Sequence, residues 1–144
     1  RRQFAETLIK KIPVNTCVLV YNQQFEASII SALADHYPDL RNDLLRINDQ
    51  LCDLMIPFKE KWIYYPQMKG SYSLKNVLPA LIPDLNYDDL EISNGGDASL
   101  IYSSLNMIDS ESERQSIRSH LLDYCRLDTF AMVRLIEKLN EFIH

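Results

Sequence analysis

The 144-residue sequence has no long apolar run. Its longest apolar stretches, such as Cys17 to Tyr21, fall far short of the roughly 20 residues a membrane-spanning helix needs. No basic segment followed by an apolar one opens the chain, so neither a membrane span nor a leader is expected. Cysteine is scarce as well. Cys17, Cys52 and Cys125 are odd in number, widely spaced and in apolar surroundings, so no CxxC metal pair or disulfide framework can be drawn. They read as buried thiols of a cytoplasmic protein. Excess positive charge is also missing: a net charge of −5 and a pI near 5.1 argue against a module that holds nucleic acid by bulk charge. They leave room for a nuclease whose bound cations supply positive charge locally. Repeats, low-complexity tracts and an obvious linker are absent, and 47% hydrophobic with 24% charged residues is ordinary globular usage. One domain over 1–144 is the expectation.

What is present alternates between two periods. Phe4, Leu8, Ile9 and Ile12 recur at helical spacing from about residue 2 to 12, and Pro13 stops them. Thr16 to Tyr21 is an apolar, β-branched run of the kind that forms a strand covered on both faces. Phe25, Ile29, Ile30, Leu33 and Ala34 predict a second helix ending near Tyr37-Pro38. Asp39 to Asn48 reads as helical or irregular, and Gln50 to Met55 as a second strand closed by Pro57. Gly70-Ser71 reads as a turn before a helix over Leu74 to Leu81, with Ser73 as N-cap and Pro83 beyond its end. Asn94 to Asp97 is the clearest loop, with Asp97 as the cap of a helix over Ala98 to Asn106. Glu111 to Cys125 and Asp128 to Ile143 form two helices or one bent helix, with Leu121, Leu122, Met132, Leu135, Ile136 and Leu139 as the buried stripe. The series predicts an α/β layer fold. Two short strands make an incomplete sheet, so either the fold is mostly helical or further strands belong before Arg1.

Two groups of residues can carry chemistry. Asn22-Gln23-Gln24-Phe25-Glu26 follows the first strand directly and opens a helix, the place where open α/β sheets put ligand sites. Phe25 is expected to face the core and Glu26 to project into the crevice; the bland alternative is that Glu26 only complements the helix dipole. Tyr124 and Asp128 stand at i and i+4, on one face of a helix. A carboxylate there can hold a divalent cation and a phenol can orient a water on it. Core packing for Tyr124 and solvent exposure for Asp128 are the alternative.

In this order, the pieces resemble the second half of the ribonuclease H-like DEDD exonuclease superfamily. Its second motif is Asn-x-x-(Phe/Tyr)-Asp and its third, in the DEDDy branch, is Tyr-x-x-x-Asp. More closely, the runs VYNQQFE, CDLMIPF, GSYSLKNVLPALIPDLNYDDLEISNGGDA and LLDYCRLDTFAMVRL resemble a bacterial family catalogued as domain of unknown function 2779. The resemblance implies the C-terminal portion of a ribonuclease H-like α/β exonuclease fold, with few parallel strands flanked by helices. It further implies a metal-dependent 3′-5′ exonuclease acting on a nucleic acid 3′ end. Glu26 and Asp128 would be ligands of two Mg²⁺ or Mn²⁺ ions roughly 3.5–4 Å apart, and Tyr124 would position the attacking water. Glu26 and Asp128 would then lie within about 8 Å of each other.

Glu26 replaces the superfamily's Asp, and no Asp-x-Glu on a strand precedes VYNQQFE. The first motif and its strands would lie upstream of Arg1, leaving half a site and negligible activity in this chain. The exposed sheet edge would then promote self-association. A non-catalytic binding or scaffold domain is the alternative. Lesser candidates are Asp53, read as a hydrogen-bonding residue, and Asp97, read as a cap. Lys69, Lys75, Tyr64, Tyr65 and Tyr72 could meet a nucleic acid strand by phosphate contact and stacking, though core packing explains them as well. The segment Trp62 to Tyr72 could line a small pocket. His36, His120 and His144 show no ligand spacing.

Overall fold

The computed structural model describes residues 1–142, and the chain divides into two compact units, with the division in the sequence falling between Trp62 and Ile63. In the first unit, α1 (Arg2–Lys11) ends where Ile12 turns extended before Pro13. Next come β1 (Val18–Val20), α2 (Gln23–His36), a 3₁₀ turn (Pro38–Leu40), α3 (Arg41–Asp49), β2 (Leu51–Asp53) and the short α4 (Ile56–Lys59). α2 and α3 carry the chain from the end of β1 back to the start of β2. The two strands therefore run parallel, with Val18 opposite Leu51 and Val20 opposite Asp53. Ala5, Val20, Ile30, Ala34, Leu44, Ile47 and Leu51 form the core between helices and sheet.

The second unit is helical: a 3₁₀ turn (Pro66–Met68), α5 (Leu74–Leu81), α6 (Gly95–Ser104), a 3₁₀ turn (Leu105–Met107) and α7 (Glu111–Asn140). Leu78, Tyr87 and Ala131 form a core cluster between α5, the following loop and α7.

The expected ribonuclease H-like α/β fold is not what forms. Among the described residues only two three-residue strands exist and every other regular element is helical. Thr16 to Tyr21 contributes just three residues to a ladder because its one neighbour among the described residues, β2, is itself three residues long. It is not covered on both faces either, since Leu19 is 37% exposed.

Finer expectations are also corrected. All three cysteines are exposed, and Cys17 and Cys52 form a disulfide with Cα atoms 6.2 Å apart. The parallel register puts Cys17 diagonally across from Cys52 on the outer face, a proximity that sequence spacing does not reveal. α7 is one continuous 30-residue helix. Its buried positions are Ala131, Leu135 and Leu139, whereas Leu122 is 63% exposed. Asn94, not Asp97, caps α6: its Oδ1 accepts from the Asp97 amide at 2.9 Å, and Asp97 accepts from the Asn94 side chain. Ser73 stands at the N-cap of α5, but its hydroxyl bonds to Asn76 Oδ1 at 2.8 Å instead of a backbone amide. His144 and the expected end of the last helix at Ile143 lie outside the described residues.

Candidate functional site

The junction where β1 enters α2 is built around Asp53. Asn22 has φ +73°, and its side chain caps nothing, so the first amides of α2 need an outside acceptor. Asp53, at the end of the neighbouring strand, supplies it. Its Oδ1 accepts from Asn22 N at 3.0 Å and from Met55 N at 2.9 Å, and its Oδ2 accepts from Gln23 N at 3.0 Å. One carboxylate thus satisfies three amides and places negative charge at the positive end of the α2 dipole. The hydrogen-bonding reading of Asp53 is what the structure displays.

One turn into α2, Glu26 is half-buried in the wall of a cavity of about 220 Å³. Apolar side chains of α1, β1, α2, α3 and β2 form the rest of that wall, among them Leu8, Val20, Ile30, Ile47 and Leu51. Its Oε2 is buried without a hydrogen-bond partner. Loss of hydration raises the pKa of Glu26; its own backbone N–H opposes the shift and the Asp53 charge adds to it. An apolar wall cannot stabilise a carboxylate, so this oxygen is open to a proton, a donor or a cation. Phe25, expected in the core, is 62% exposed beside the same cavity.

In the second unit, Tyr124 and Asp128 lie on one face of α7, as the i, i+4 spacing predicts. Asp128 Oδ1 accepts from the hydroxyl of Tyr87 at 2.6 Å. The Tyr124 hydroxyl also bonds to Asp128, and the Tyr87 and Tyr124 rings sit 6.0 Å apart. Burial, then the Asp128 charge and this bond, push the Tyr124 phenol well above the ordinary tyrosine range. The hydroxyl also approaches the first turn of α6, where a Cβ on Gly95 would lie 3.5 Å from it. Asp128 is therefore a carboxylate gripped by two phenols. Tyr87 was not singled out from the sequence; it stands 41 residues from Asp128, and nothing in its local pattern marks it.

Glu26 belongs to the first unit and Tyr124 with Asp128 to the second. Neither unit alone holds three His, Cys, Asp or Glu side chains grouped to bind a metal among the described residues. Each offers one carboxylate: that of Glu26 has a free oxygen, and that of Asp128 is occupied by Tyr87 and Tyr124. Asp97 is engaged with Asn94. Among the described residues, no helix is long and apolar enough to cross a membrane.

Comparison with known proteins places the chain without revealing an activity. It is 30% identical over 93 residues to an uncharacterized protein, UU173, of Ureaplasma parvum serovar 3. That match covers 54% of this chain and 14% of the relative, so the chain spans only a small part of the relative's length. No solved structure matches. The family model described as a domain of unknown function (DUF2779) matches residues 1–73, a stretch that includes Glu26 and Asp53 and ends before Tyr124. Since that match takes in just over half of the sequence, the chain belongs to the DUF2779 family.

Proposed function

We propose that this chain is part of a metal-dependent phosphodiesterase that removes nucleotides from a nucleic acid 3′ end. The observation that carries the reading is Glu26, whose Oε2 is buried and has no partner at the carboxyl end of a parallel strand pair. The Asn22 to Glu26 and Tyr124 to Asp128 patterns support it. When bound, Mg²⁺ or Mn²⁺ supplies an acidified water and neutralises charge on the leaving oxygen. Glu26 offers a carboxylate oxygen already stripped of water. Tyr87 fixes the orientation of the Asp128 carboxylate by holding its Oδ1, and a cation there would share that carboxylate with the two phenols. Tyr124 donates a hydrogen bond to Asp128 and keeps its proton, which leaves the phenol's lone pairs to accept a hydrogen bond from the attacking water.

A second reading, a binding domain without hydrolytic activity, is favoured by one observation: Tyr87 already occupies Asp128 Oδ1. One experiment separates the two. In the longest polypeptide that carries these residues, Mn²⁺-dependent shortening of a 5′-labelled oligonucleotide is expected to fall at least a hundredfold in Glu26→Gln and in Asp128→Asn. The 144-residue chain alone is expected to be nearly inactive. Binding of the oligonucleotide without shortening, or shortening that survives both substitutions, overturns the hydrolase.

A further inference from the structure

β1 has the composition of an interior strand and the position of an edge strand. Thr16 to Tyr21 is apolar at almost every position, the pattern of a strand flanked on both sides in a parallel sheet. Yet among the described residues β1 pairs only with β2. Val18 N donates to Gln50 O and Leu54 N donates to Val20 O, so Val18 and Val20 use their backbone groups toward β2. By the alternation of a parallel ladder, the N–H and C=O of Leu19 point the other way, along the open edge. Over the helix-facing side of this strand lies the 220 Å³ cavity, which Val18 and Val20 help to line, with the exposed Phe4, Phe25 and Ile29 around it.

We infer that this edge takes up an extended polypeptide strand, apolar at alternate positions and supplied by polypeptide outside this chain. The strand pairs with Leu19 and sends every second side chain into the cavity. A small aliphatic ligand or a docked helix could fill the cavity but would leave the Leu19 backbone groups unpaired. A strand alone meets both needs, main-chain bonds giving affinity and the alternate side chains giving specificity. The relative from Ureaplasma parvum has ample polypeptide beyond the matched part to supply such a strand, since this chain covers 14% of it. The inference does not rest on the hydrolase reading.

The test is a displayed library of random ten-residue peptides, selected on the 144-residue chain. Selected peptides should be apolar at alternate positions and should slow exchange of the Leu19 amide at least tenfold. Affinity should fall at least tenfold in Leu19→Pro, which removes a donor that β2 does not use, and in Phe25→Asp, which leaves the backbone intact. Circular dichroism checks that both variants fold; if Leu19→Pro does not, Phe25→Asp together with Leu19 exchange decides. No enrichment, peptides without alternation, or binding unchanged in Phe25→Asp overturns the inference. So does a free chain that sediments as a dimer with Leu19 already protected, because a second copy would then be the occupant.

Discussion

The two units treat an acidic side chain in opposite ways. In the first, Asp53 is tied to backbone, its two oxygens taking three amides, while Glu26 nearby keeps its Oε2 buried without a partner. In the second, Asp128 is tied to side chains, the phenols of Tyr87 and Tyr124. A carboxylate that satisfies backbone amides is part of the fold, because removing it orphans donors that must then find water. One held by side chains can be released without disturbing the backbone. One that lacks a partner costs stability and so points to a partner still to come.

The largest effect should come from Asp53→Ala, which orphans the amides of Asn22, Gln23 and Met55 together. It is expected to cost the first unit roughly 3 kcal/mol, read from urea unfolding followed by amide resonances of α2 and β2. A cost below about 1 kcal/mol would remove the contrast with Asp128. Tyr87→Phe should cost the second unit about 1 kcal/mol, since Asp128 is only half-buried and water can replace the phenol. If it costs as much as Asp53→Ala, the Asp128 cluster is structural too.

A pH series sharpens the Glu26 side. Its folded pKa is raised, so between its unfolded value of roughly 4.3 and the raised folded value the native state holds more protons than the unfolded state. Stability then falls as pH rises through that window. Glu26→Gln should flatten this decline and make the first unit slightly more stable at pH 7 while changing little at pH 4. A variant less stable than the parent at pH 7 would mean that Glu26 has a stabilising partner. The smallest effect is expected for Phe25→Ser, within about 0.5 kcal/mol because the ring is mostly exposed. A core-sized loss would restore the sequence-based expectation for Phe25.

Helical periodicity made α1, α2 and α5 legible because each buries one stripe, and the β-branched run located β1. The 3.6-residue period does not say how much of an apolar face finds a partner. Phe25 and Leu122 fit the pattern and still face outward, since no element among the described residues covers them. Asn94 lost its cap role to Asp97 in the sequence reading because both residue types cap helices and only three positions separate them. The Cys17–Cys52 bridge and the Tyr87–Asp128 bond depend on pairings 35 and 41 residues apart, which local pattern cannot supply. The carboxylates were legible as chemistry, their partners were not.

α7 has a consequence for how the second unit opens. Its 30 residues extend about 45 Å at 1.5 Å per residue, yet none before Ala131 is buried. From Glu111 to Leu121 it is held by its Ser110 cap, by the Arg114 bond to the Ile108 carbonyl and by surface pairs such as Arg114–Glu111, the pairs worth a few tenths of a kcal/mol each. The free energy of local opening must therefore climb along the helix, low at Glu111 and approaching that of the whole unit around Leu135. Tyr124 and Asp128 sit on the slope between, where the helix can unwind up to the two phenols while its last turns stay docked.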